Sequence, residues 1–113
     1  MNELTRIAPL VFGVLMIVTG ALGWAGRLPR NDWIGLRLHV VMASDRTWRV
    51  GHKAGGPWLF SVGCVVAGGG AALLITYREP DTGLKQAGAL LAIAVAGYAL
   101  GAWRAQVAVR RLG

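Results

Sequence analysis

Ser44, Asp45 and His52 are the residue types of a hydrolytic triad, and His39 with His52 are those of a metal site. Their spacing supports neither. Ser44 and Asp45 are neighbours in sequence, which fits no strand–turn–helix nucleophile elbow. Two histidines and a single cysteine, Cys64, make a poor metal-ligand set and exclude an internal disulfide. Catalytic residues, a metal and a cofactor are therefore not expected. Hydrogen bonding and charge remain. Arg30, Asn31, Arg37, Trp48 and His52 fall within the stretch 27–56, whose only carboxylates are Asp32 and Asp45. A guanidinium carries five donors, and one held away from water needs carbonyls or a carboxylate to receive them. The expectation is a polar plug made of these five residues, with Arg37 turned towards a fixed partner and Arg46 solvated. Such a plug is either a structural lock or a docking site for a protein or lipid headgroup.

The elements that must position this stretch are apolar. The 113-residue chain is 55% hydrophobic and 15% charged, and its charges are bunched. Twenty uncharged residues separate Arg6 from Arg27, twenty-four separate Lys53 from Arg78, and eighteen separate Lys85 from Arg104. About 20 apolar residues cross a bilayer. Three such stretches leave too little polar surface to cover them as buried helices of a soluble domain. The reading is an all-α membrane protein: one domain over 1–113, with spans at 7–26, 57–77 and 86–103 and a motif loop at 27–56. The first stretch is longer than a signal-peptide core of about 7–15 residues and is read as a retained span. With no ionisable group inside a span, an ion or proton pathway is not expected.

Within the loop, Ile34, Leu36, Leu38, Val40 and Met42 share one parity, opposite Gly35, Arg37 and His39, which predicts extended chain lying on an apolar surface. Ser44 suits a helix N-cap and Asp45 the first turn after it. Trp48 and His52, four apart, share a helix face. Gly55 and Gly56 are expected to end this short interfacial helix, and Pro57 to open the second span. "REPDTG", with Pro80 and Gly83, predicts a tight turn that makes spans two and three an antiparallel hairpin. Trp24, Trp58, Tyr77 and Trp103 fall at predicted span ends, where interfacial aromatics belong. Small residues let helices approach closely in lipid. They recur at Gly13, Gly20 and Gly23, at Gly63, Ala67 and Ala71, and at Gly97 and Gly101, with Ala89 and Ala105 near the last face. These faces suit either packing within the bundle or self-association. Cys64 is expected to be a small buried apolar side chain.

The net charge of +7 finds its explanation in the membrane, without nucleic acid. Arg27, Arg30, Arg37, Arg46, Arg49 and Lys53 of the loop share a predicted side with Arg104, Arg110 and Arg111 of the tail. Only Arg6, Arg78 and Lys85 lie opposite. The excess places the loop and C-terminus in the cytoplasm and the N-terminus outside.

Taken in order, "LPRNDWIGLR" and "SDRTWRVGHKAGGPWLF" resemble the signature of the SdpI family, small bacterial membrane proteins named after an immunity protein against a secreted killing factor. The match falls on Pro29, Arg30, Asn31, Gly35, Arg37, Ser44, Asp45, Trp48, Arg49, His52 and Gly56. It departs at Leu38 and His39, where the family often has Thr-Pro, and the immunity protein itself carries additional spans. The resemblance implies a non-enzymatic protein of the bacterial cytoplasmic membrane. It would bind a secreted antimicrobial peptide or hold a cytoplasmic repressor at the bilayer, in immunity or signalling. The rival readings are an accessory subunit of a larger membrane complex and, more weakly, an enzyme or carrier acting on a lipid headgroup.

Overall fold

Asn2 sets the start of the first helix. Its Oδ1 accepts a hydrogen bond from the Thr5 amide at 2.8 Å, and Glu3 follows in the first turn, where a negative charge suits the helix N-terminus. The computed structural model describes residues 2–31, 33–76 and 79–112. Among the described residues there are four helices: α1 (Glu3–Trp24), α2 (His39–Met42), α3 (Asp45–Ile75) and α4 (Pro80–Arg110). Three of them are long and apolar enough to cross a membrane. Tyr77, expected at a span end, and Asp32, one of the loop's two carboxylates, lie outside the described residues.

α1 and α3 pack antiparallel along a seam of glycines. A Cβ at Gly70 would strike Leu10, one at Gly63 would strike Ile17 and Met16, and one at Gly56 would strike Gly20 and Trp24. These three glycines are seven residues apart, the repeat that keeps one helix face against a neighbour. Lipid tails are as apolar as the side chains, so close backbone approach replaces the hydrophobic effect as the force between spans. α4 runs antiparallel to α3. A Cβ at Gly97 would overlap Val62, and one at Gly101 would lie 3.3 Å from both the Gly55 carbonyl and Leu59. Ala105 joins this buried face, whereas Ala89 is exposed.

Several local expectations are corrected. Gly55 and Gly56 do not end a helix, and Pro57 does not begin one: α3 runs unbroken through all three. The pair is a double notch. Gly55 faces the Gly101 carbonyl of α4 and Gly56 the backbone of α1, so the central helix can touch both neighbours at one level. The expected interfacial helix is thus the first turns of α3. The alternating stretch does not stay extended, because residues 39–42 close into the short helix α2. The second turn is tighter than expected: α4 starts at Pro80, and Gly83 lies inside it, donating to the Glu79 carbonyl at 2.8 Å. α1 starts at Glu3, four residues before the expected Ile7, so Pro9 lies inside the helix past its first turn. Cys64 is exposed on the bundle surface, off the buried stripe of Leu59, Gly63, Val66 and Gly70.

Helix lengths create the functional end. At 1.5 Å per residue, the 22 residues of α1 span about 33 Å and the 31 of α3 and of α4 about 46 Å. The hydrocarbon layer is about 30 Å thick. The bundle measures 52 × 20 × 20 Å. α1 ends beside Gly56 and His52 of α3, so the first turns of α3 and the last turns of α4 project beyond it. The described residues of the segment 25–44 fill the space above α1. In this head, burying Leu36 and Val41, each 0% exposed, contributes about 1.5–3 kcal/mol per side chain. Below it, Val11, Phe12, Val14, Leu15, Val65 and Val95 are exposed around the bundle, an apolar surface that suits lipid.

Candidate functional site

The site begins where α1 stops. Gly26 takes φ +73°, a left-handed conformation natural to glycine. Its amide donates to the Gly23 carbonyl at 3.1 Å, and the Arg27 amide donates to the Leu22 carbonyl at 2.8 Å. This paired closure satisfies the last carbonyls of α1 and turns the chain sharply. Asn31 shapes the next turn with both ends of its amide. Its Oδ1 accepts from the Trp33 and Ile34 amides at 2.7 and 2.8 Å, and its Nδ2 donates to the Pro29 carbonyl at 2.8 Å.

The returning chain then meets α3. Ser44 caps that helix: its Oγ accepts from the Thr47 amide at 3.1 Å, and its own amide donates to Thr47 Oγ1 at 2.9 Å. One turn on, Trp48 and His52 stack with ring centroids 4.2 Å apart. Trp48 Nε1 donates to the Leu28 carbonyl at 2.8 Å. The Leu36 amide donates to His52 Nε2 at 2.8 Å, so that nitrogen carries no proton. The proton sits on Nδ1, which lies 2.8 Å from the Trp48 carbonyl and donates to it. Two side chains of α3 thus hold the loop at Leu28 and Leu36, satisfying main-chain groups that helix or sheet would otherwise serve. Gly35 passes directly over the two rings at φ +119°, and a Cβ there would lie 2.7 Å from His52 Nε2 and 2.8 Å from Trp48 Cη2.

His52 stands on the polar first turns of α3, ahead of the membrane-spanning stretch that begins after Lys53. Burial pushes its imidazole below the ordinary histidine range. The bond to the Trp48 carbonyl draws it back up, and the Arg37 charge lowers it further.

The arginines divide. Arg37 is half-buried, donates from Nη1 to the Ile34 carbonyl at 3.2 Å and lies 5.5 Å from the Trp48 ring centre. Among the described residues its fixed partners are a carbonyl, one of the two kinds of acceptor expected, and an indole face. Of the loop's two carboxylates, Asp45 pairs with Arg30, whose Nη1 is 3.4 Å from Asp45 Oδ1 in an exposed pair. Arg27 and Arg49 are exposed and make no ion pair or hydrogen bond among the described residues. With Arg30 they line a cleft of about 440 Å³ whose remaining walls include Gly23, Gly26, Asp45, Trp48 and His52.

The structure therefore brings Gly35, Arg37, Trp48 and His52 into one cluster, with Asn31 shaping the turn that leads to it, Ser44 as its helix cap and Arg30 and Asp45 at its rim. His39 is exposed at the start of α2. Among the described residues, no three potential metal ligands converge. Sequence reasoning missed Tyr98. Its hydroxyl accepts from the Arg37 amide at 3.0 Å and donates to the Gly35 carbonyl at 3.2 Å, tying the loop to α4. It lies between Gly97 and Gly101, in a stretch read only for its small residues.

Three long apolar helices capped by a hydrogen-bonded polar loop define a small multi-span membrane protein. A family model, the SdpI/YfhL protein family, matches residues 27–103, from the motif loop through most of α4. The chain belongs to that family. No curated protein and no solved structure matches it.

Proposed function

We propose that the protein is a non-enzymatic membrane protein of immunity or signalling type, which binds a toxic peptide at the bilayer or holds a cytoplasmic regulator there. Family membership supports the immunity class. The observation that carries the binding reading is the outward face of the motif loop. The polar groups of Asn31, Trp48 and His52 are spent on main-chain partners, while Trp33 is 89% exposed. Trp33 and Ile34 overhang a groove of about 290 Å³ between α1 and α4, lined below by Phe12, Leu15 and Met16. A peptide dissolved in the membrane reaches that groove from the lipid side, whereas a soluble regulator reaches the arginines of the head. Nine of the twelve basic residues belong to the head end, which favours its placement in the cytoplasm. In a Cys64→Ser background, Arg46→Cys should then resist membrane-impermeant thiol reagents in intact cells and Thr82→Cys should react. The reverse pattern overturns the orientation.

The functional test is protection. Sensitive cells expressing the protein are challenged with secreted killing peptides, beginning with any encoded beside its gene. Survival should rise and should fall with Trp33→Ala. The alternative, an accessory subunit of a larger membrane complex, is favoured by the open notches at Gly68 and Gly88, where a Cβ would meet nothing within 4 Å. A stoichiometric large partner in mild detergent, with no protection against any peptide, would decide for it.

A further inference from the structure

Among the described residues, the Arg27 and Arg49 guanidiniums that line the cleft take no part in the hydrogen bonds that hold the motif loop. Arg30 is engaged with Asp45, whereas Arg27 and Arg49, which make no ion pair among the described residues, face the same cavity. Lys53 adds a third cation at the rim, its Cε 3.4 Å from where a Gly26 Cβ would stand. The α1 carbonyls that would repel an anion are already closed by the turn at Gly26, since the Ala21, Leu22 and Gly23 oxygens each accept an amide. A planar fork of donors suits phosphate oxygens, which can take two parallel bonds from each guanidinium.

A second, apolar groove lies nearer the membrane-spanning part of α1 and α3. Arg49, Lys53 and Phe60 lie at i, i+4 and i+11 of α3, one stripe of the helix. Phe60 and Trp24 pack edge to face at 6.2 Å and, with Ala21 and Ala25, line an apolar groove of about 420 Å³. Phe60 to Lys53 is seven residues, or about 10 Å of rise. That distance spans the headgroup layer, roughly 5–8 Å per leaflet. We propose that this α1–α3 seam is a binding site for an anionic phospholipid, with its phosphate between Arg27 and Arg49 and an acyl chain along Trp24 and Phe60. A zwitterionic lipid would bring its own cation against Lys53 and the arginines, so the site selects net negative headgroups. The inference does not rest on the immunity reading and holds for either binding partner.

The experiment uses purified full-length protein in mild detergent, with phosphatidylglycerol, phosphatidylcholine and inorganic phosphate as separate probes. Binding is read by native mass spectrometry and thermal stabilisation. Phosphatidylglycerol should bind at least tenfold more tightly than phosphatidylcholine. Arg27→Gln/Arg49→Gln should abolish that preference, while Arg110→Gln/Arg111→Gln, with the same loss of charge outside the cleft, should retain it. Each single variant, Arg27→Gln and Arg49→Gln, should weaken the preference several-fold, so the inference stays testable if the double variant does not accumulate. Equal losses in the two double variants would reduce the effect to diffuse charge and overturn the site. Inorganic phosphate stabilising as strongly as phosphatidylglycerol at equal concentration would make it a free-anion site and overturn the lipid assignment.

Discussion

Replacing Gly35 by alanine tests the architecture of the motif at its tightest point. The new Cβ would stand 2.7 Å from His52 Nε2, 2.8 Å from Trp48 Cη2 and 3.1 Å from Trp48 Cζ2. None of these atoms is the free end of a flexible chain. The two rings stack on one another, and each is pinned by a main-chain hydrogen bond. The φ of +119° strains any side chain by about 1–3 kcal/mol. Pushing His52 aside leaves the amide of fully buried Leu36 without its acceptor, a further ~1–3 kcal/mol. The expected loss is about 2–6 kcal/mol, a large part of the roughly 5–15 kcal/mol typical of a folded domain. Thermal unfolding in mild detergent reads the loss, and hydrogen exchange at the Leu36 amide reads its cause. Gly88→Ala is the control. Nothing lies within 4 Å of its Cβ, so it should be neutral or stabilise α4 by up to about 1 kcal/mol. An unchanged unfolding temperature in Gly35→Ala, with Leu36 still protected, would refute the stacked geometry.

Lowering the pH should loosen the same cluster. His52 is held below its ordinary value of about 6.5, so the unfolded chain takes up a proton that the folded one refuses. Stability is full above that pH and falls below it; a unfolding midpoint that is flat from pH 7.5 to 5, or identical in His52→Gln, would contradict this. Arg37→Lys should cost about 1–2 kcal/mol by losing the planar contact with Trp48 and the Ile34 carbonyl, while exposed Arg46→Lys should stay within about 0.5 kcal/mol. Equal effects would make Arg37 an ordinary anchoring charge, and loss of protection at normal stability would mark it as a binding residue. Gly97→Leu and Gly101→Leu should each force α4 from α3, lowering accumulation and costing about 1–3 kcal/mol. Unchanged stability in detergent would put that face against lipid.

The sequence by itself determined the spans, because charge-free stretches of membrane length need no tertiary information to be read. It also determined the start of α3: Ser44 takes the Thr47 amide within one turn and Asp45 follows in the first turn, which is local chemistry. The four-residue spacing of Trp48 and His52 put them on one face for the same reason. What the two rings do was not local. His52 takes the Leu36 amide from sixteen residues away and Trp48 reaches the Leu28 carbonyl, pairings fixed by where the loop lands on α3. Gly55 and Gly56 show why the reading failed between helix and loop. Paired glycines read as a helix stop when only propensity is counted, but here each removes a side chain where a neighbouring backbone passes. Tertiary packing overrode local preference, and a continuous α3 became longer than α1. Only that difference in length, set by which helices pair and at what level, created the head in which the motif loop, Tyr98 and the cleft arginines come together.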